Sequence, residues 1–149
     1  CRRDLDKWTS GAHIGTFRGQ CVAMAAGLAA LNFMERNDLP SHAAKLGSHM
    51  LERLQVLMDE SRYIGDVRGK GLMVGIEFVK DKKTKKPADA VAREVRKQCY
   101  MRGLIVELGG HYSNVVRFLP PLVLTEELAD KGLHVFNEAV KDTERNLVE

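Results

Sequence analysis

Two short segments of this sequence carry residue types that hold anions. The first is G-A-H-I-G-T-F-R-G-Q, Gly11 to Gln20, which opens onto the alanine-rich run Cys21 to Leu31. A glycine-rich turn with a hydroxyl residue at the start of a helix suits phosphate. N–H groups of a first helical turn lack partners within the helix, and the helix dipole adds partial positive charge there. Such turns are also common where nothing binds. The second segment is N-V-V-R-F-L-P-P-L-V-L-T-E-E-L, Asn114 to Leu128. Val115, Val116, Phe118 and Leu119 make a short apolar strand interrupted by Arg117, and Pro120-Pro121 end any ladder because proline has no N–H to donate. A guanidinium within an apolar strand calls for an anionic partner. That partner is either a glutamate elsewhere in the fold or the carboxylate of a substrate, for which the planar fork is well matched.

The elements that must position these residues follow from periodicity. A helix is expected from Gln20 to about Arg36, rich in small residues, with Asn37-Asp38 as its stop. A second runs from about Ser41 to Asp59, with Gly47, Met50, Leu51, Leu54, Leu57 and Met58 at helical spacing. Tyr63–Arg68 and Leu72–Val79 read as strands; in the latter, Leu72, Val74, Ile76 and Phe78 alternate with Met73, Gly75, Glu77 and Val79. A third helix covers about Ala88 to Arg102 and stops at Gly103. Leu104–Leu108 and Asn114–Leu119 are two further strands. The last helix follows Thr125 as N-cap, with Glu126 and Glu127 in its first turn, and is expected to bury Leu128, Val135, Phe136, Ala139 and Val140. The order α-α-β-β-α-β-β-α lacks strict β-α-β alternation. It predicts an α+β fold, helices packed on one face of a small, mainly antiparallel sheet.

Composition narrows the function classes. The hydrophobic fraction of 44% and charged fraction of 29% are those of a globular protein with a sizeable core. A net charge of +3 is too small and dispersed to suggest nucleic acid, and the run Lys80–Lys86 reads as a solvated loop. No apolar run reaches membrane-span length, and the N-terminus does not read as a signal peptide. Cys1, Cys21 and Cys99 form no C-x-x-C pair; Cys21 and Cys99 fall on apolar helix faces, and a reducing cytoplasm is the expected compartment. The start at Cys1 rather than methionine suggests a piece of a longer protein. No metal site is expected: His13 has no second ligand at suitable spacing and reads as a brace within its loop. His42, His49, His111 and His134 form no ligand pattern.

G-x-H-x-G-T-F-x-G, then V-R-G-K-G-L-M-V-G-I-E-F, then R-F-L-P-P-L, in this order over roughly Trp8 to Lys141, resembles the C-terminal part of the class III aminotransferases. These are pyridoxal-phosphate enzymes of fold type I, related to 4-aminobutyrate and ornithine aminotransferases. T-F-R-G, where most members have T-F/Y-G-G, looks most like the 2,4-diaminobutyrate:2-oxoglutarate enzymes, although Gln20 stands where those usually carry asparagine. The resemblance implies the small C-terminal domain of that fold, with residues 1–20 at the edge of the large domain and 21–149, including the linking first helix, in the small one. It implies a homodimer or larger assembly. It further implies that Gly15 and Thr16 reach the phosphate of pyridoxal phosphate across the subunit interface, and that Arg117 binds a substrate carboxylate.

Amino-acid and 2-oxo-acid substrates are expected accordingly. The Schiff-base lysine and the aspartate facing the pyridine lie upstream in the family, in motifs absent here. No residue of this chain is therefore assigned a catalytic role, and the chain alone is expected to be inactive. Arg18 reads either as a surface ion-pair residue or as a contact near the neighbouring subunit's active-site mouth. The rival within the family is a 4-aminobutyrate or ornithine type ω-aminotransferase. The rival outside it is a non-catalytic α+β ligand-binding or dimerisation module.

Overall fold

A computed structural model describes residues 2–147 of the chain, so that Cys1 lies outside the described residues. The chain divides into two units, Cys1–Asn37 and Asp38–Glu149.

The first unit holds a single 3₁₀ turn at Arg3–Leu5, the glycine-rich segment, and helix α1, Cys21–Arg36. No residue of α1 is buried. Val22, Met24, Leu28, Leu31 and Phe33 are all more than half exposed. Cys21, expected on a packed helix face, is likewise exposed. Its apolar neighbours and small alanines are left uncovered by the described residues of the unit.

The second unit is the α+β fold. It contains α2 (Leu39–Glu60), β1 (Ile64–Lys70), β2 (Met73–Phe78), α3 (Asp89–Met101), β3 (Glu107–Gly109), β4 (Val115–Phe118) and α4 (Glu126–Asn146). The four strands form one sheet in the order β1-β2-β4-β3, every pair antiparallel. Val74, Ile76 and Phe78 of β2 and Val116 and Phe118 of β4 point to one face, where they join Leu46, Met50 and Leu54 of α2, Ala92, Val95 and Cys99 of α3, and Phe136 and Val140 of α4. Burial of these side chains is the main stabilising term, about 1.5–3 kcal/mol for each large one.

Local chemistry explains where the elements differ from the pattern. Helix α2 begins at Leu39 rather than at Ser41, with Asp38 in left-handed conformation as its N-cap and Pro40 inside the first turn, where no N–H is needed. Strand β3 is displaced from Leu104–Leu108 to Glu107–Gly109. Gly103, at φ +82°, ends α3, and the Leu104 N–H then turns back to the Cys99 carbonyl. That closure occupies the residues expected to start the strand. Leu119 leaves the sheet and is exposed. In α4 the core stripe is Ala129, Leu133, Phe136, Val140 and Thr143, at i, i+4, i+7, i+11 and i+14. Leu128 precedes the stripe by one position and is exposed, and Val135 is only half-buried. Thr125 does cap α4, its hydroxyl oxygen accepting from the Leu128 N–H at 3.3 Å.

Candidate functional site

The sheet has an outer face, opposite the helices. Antiparallel register places its side chains in two adjacent rows: Arg68, Gly75, Arg117 and Glu107 in one, and Asp66, Glu77, Val115 and Gly109 in the other. Alternation along β4 sends Val116 and Phe118 into the core, which leaves Arg117 outside. Arg117 is exposed and takes part in no ion pair or hydrogen bond among the described residues. The internal-glutamate reading of Arg117 is thereby excluded within the described residues. Even Glu107, its direct cross-strand neighbour, makes no such pair.

Arg68 behaves in the opposite way. Its guanidinium donates to Asp66 Oδ2 and, at 2.7 Å, to Glu77 Oε2. The bonds to Asp66 and then Glu77 raise its pKa above the ordinary arginine value, so it stays charged at any working pH. Glu77 thus has its basic neighbour in Arg68, on the adjacent strand. Asn114, 3% exposed, braces the same end of β2: its amide donates to the Phe78 carbonyl at 2.9 Å and reaches Glu77 Oε1 at 3.5 Å.

Gly15 and Thr16 lie in the other unit. The Arg18 N–H closes the turn over Gly15-Thr16-Phe17 by donating to the Gly15 carbonyl at 3.2 Å. Gly19, at φ +73°, then leads to Gln20, the N-cap of α1, which makes no side-chain cap bond. The first turn of α1 carries no acidic residue. Thr16 is exposed and its hydroxyl is uncommitted among the described residues. An oxyanion here would meet free donors and no repelling carboxylate, so the donor set suits a phosphate. Arg18 folds back over the turn, with its Nε 3.2 Å from where a Cβ on Gly15 would stand, and enters no ion pair among the described residues. The His13 ring lies 5.4 Å from that of Trp8, tilted by 46°.

Sequence reasoning singled out Arg117 but not Gly109, across which its side chain lies. A glycine in a three-residue strand carries no signal of its own. No group of three or more metal-ligating side chains occurs among the described residues. Nor is any helix among them long and apolar enough to cross a membrane.

Comparison with known proteins gives the chain's relatives. The chain is 40% identical over 136 residues to a diaminobutyrate–2-oxoglutarate aminotransferase of Rhizobium meliloti, a match covering 87% of this chain and 29% of that protein. It is 42% identical over 122 residues to alanine–glyoxylate aminotransferase 2 homolog 2 of Arabidopsis thaliana, covering 82% and 26%. It is also 42% identical over 144 residues to a leucine/methionine racemase of Thermococcus litoralis, covering 97% and 32%. The chain thus spans about a third or less of the length of these relatives. Among solved structures, a Bacillus anthracis aminotransferase superposes with a TM-score of 0.82 at 36% identity, over 88% of this chain and 30% of that one. An amine transaminase from an uncultivated Pseudomonas species, in its PLP-bound form, superposes with a TM-score of 0.82 at 34% identity, over 90% and 30%. The family model for aminotransferase class-III matches residues 3–140. Matched along nearly its whole length, the chain belongs to the class-III aminotransferase family.

Proposed function

We propose that this chain is the C-terminal portion of a pyridoxal-phosphate-dependent aminotransferase that moves the 4-amino group of L-2,4-diaminobutyrate to 2-oxoglutarate. The observation that carries the reading is the unpaired guanidinium of Arg117 on the outer sheet face. Both substrates carry carboxylates, and a cation left without an internal partner gains most from one. A charge-assisted pair of this kind contributes on the order of 1.5–3 kcal/mol, about a ten- to hundredfold effect on substrate binding. The diaminobutyrate assignment is supported by T-F-R-G at Thr16–Gly19 and by the name of the Rhizobium relative.

The coenzyme, when bound, supplies the electron sink for amino transfer. The residues of this chain bind and orient. Thr16 Oγ1 and the backbone of Gly15 hold the phosphate from across a dimer interface, and Arg117 sets a substrate carboxylate so that the reacting amine faces the coenzyme. In this proposal residues 1–20 edge the large domain and α1 links it to the small one. The lysine and aspartate of the chemistry come from elsewhere in the whole protein, which assembles as a homodimer or larger and works in the cytoplasm.

A donor screen of the whole protein tests the assignment. With 2-oxoglutarate as acceptor, 2,4-diaminobutyrate should give glutamate faster than 4-aminobutyrate, ornithine or alanine. Rapid transfer from one of the latter with none from diaminobutyrate would replace the substrate while leaving the family. The Arg117→Ala variant should raise KM for carboxylate substrates at least tenfold, with coenzyme affinity little changed.

A further inference from the structure

Helices α2 and α4 lie side by side and run in the same direction, joined by a ladder of polar contacts. His42 Nε2 donates to the Leu124 carbonyl at 2.8 Å, and His49 Nε2 meets Asp130 Oδ1 at 2.8 Å. Further along, Lys141 Nζ stands 3.9 Å from Glu60, and Ser61 Oγ donates to Glu144 at 2.5 Å. Between the His49–Asp130 and Glu60–Lys141 rungs each helix makes about three turns, roughly 16 Å. No polar contact among the described residues crosses from helix to helix over that length. A cleft of about 280 Å³ opens there, lined by Arg53, Val56 and Leu57 of α2 and by Leu133, His134 and Asn137 of α4.

The missing rungs leave donors without acceptors. Arg53 is one turn beyond His49 and His134 one turn beyond Asp130, so two bases stand where an acid and a base would cross-link the helices. Both are exposed, and neither takes part in an ion pair or hydrogen bond among the described residues. Asn137 Oδ1 is buried and has no hydrogen-bond partner, the only side-chain atom in that condition among the described residues. The end of this amide left open is therefore its nitrogen, which is likewise without a partner. A buried carbonyl left unpaired is a cost that folds rarely carry. It is explained if the outward amide nitrogen serves a ligand.

Charge and shape set the class of that ligand. Within the cleft Glu60 answers Lys141, which leaves the Arg53 guanidinium as the uncompensated charge. One net positive charge matches a monoanion, and the planar fork of arginine suits a carboxylate. Leu57 and Leu133 form an apolar floor beside these donors, and Val56, 59% exposed, an apolar wall. Such a lining favours an organic anion over an inorganic one. The volume lies just below the roughly 300–1,000 Å³ of small-molecule pockets, so the occupant has a body of a few carbon atoms. We propose that the α2–α4 cleft binds a small monocarboxylate. Arg53, His134 and Asn137 Nδ2 donate to its carboxylate, and its apolar body rests on Val56, Leu57 and Leu133. The cleft belongs to the helical layer, whereas Arg117 lies on the outer face of the sheet, and the inference does not use the reading of Arg117.

The test titrates 4-methylpentanoate into the whole, coenzyme-loaded protein with its leucine methyl groups labelled for NMR. The methyl signals of Leu54, Leu57 and Leu133 should shift and saturate together; no saturable shift by about 10 mM, ten times a millimolar Kd, overturns the proposal. Arg53 is exposed, so Arg53→Ala keeps the fold and should weaken this binding about ten- to hundredfold. Asn137→Leu should weaken it about tenfold without lowering the thermal midpoint, because an apolar group replaces an unpaired amide. Arg117→Ala should leave it unchanged. Of the related probes, 4-methylpentanamide lacks the charge and acetate lacks the apolar body, and each should bind at least about tenfold more weakly. Shifts that persist undiminished in Arg53→Ala, or equal binding of the acid and its amide, would refute the site.

Discussion

The side chain of Arg117 lies across Gly109, so closely that a Cβ on Gly109 would stand 2.7 Å from Nε and 3.0 Å from both Cδ and Cζ. The backbone does not require glycine at this position, in contrast to Gly110 beside it at φ +80°. What Gly109 provides is room. In the whole protein, Gly109→Ala should displace the guanidinium, the mobile end of its side chain, and raise KM for 2-oxoglutarate about three- to tenfold. The thermal midpoint should change little, which steady-state kinetics and a melting curve together check.

Gly47 presents the structural counterpart. Helix α2 passes so near the β1–β2 turn that a Cβ on Gly47 would come 2.1 Å from the Gly71 carbonyl oxygen and 2.8 Å from Gly71 Cα. These are backbone atoms and cannot rotate away. Gly47→Ala should therefore destabilise the fold by about 3 kcal/mol or more, read as a lower urea midpoint with an unchanged slope.

Cys99 is completely buried on α3, and burial pushes its thiol up to about 12, against a small opposing effect of Arg102. The unfolded chain ionises the same thiol near 8.5, so it loses protons first as pH rises. Stability from the neutral thiol is complete below about pH 8.5 and declines as pH climbs towards 12. Cys99→Ala should flatten that alkaline slope. At pH 8, iodoacetamide should modify Cys99 only under unfolding conditions, as peptide mass spectrometry would record.

Thr16 separates stability from coenzyme binding. It is exposed, with a hydroxyl uncommitted among the described residues, so Thr16→Ala should leave urea unfolding of this chain unchanged. In the whole protein it should weaken coenzyme binding about ten- to hundredfold, the loss expected for one bond to a phosphate oxygen. Unaltered affinity in a fluorescence titration would remove Thr16 from the phosphate site.

The elements of the second unit were legible because their signals are local. The Met50–Leu54–Leu57 stripe, alternation from Leu72 to Phe78, Gly103 as a stop and Thr125 as a cap each follow from neighbours within a few residues. The motifs around Thr16 and Arg117 were equally visible as residue types in order. Whether Arg117 meets an internal acid was not, because pairing depends on strand register. Glu77 went to Arg68, while Glu107, directly beside Arg117, makes no ion pair with it. The exposed α1 shows the same division: its alanines predict a helix, but only the structure reveals that no described residue of its own unit covers them. Sequence by itself determined the order of helices and strands in the second unit and which residues carry charge. Tertiary structure decided which charges cancel, because strand order and register bring Glu77 of β2 to the Asp66–Arg68 pair of β1 and lay Arg117 across a glycine.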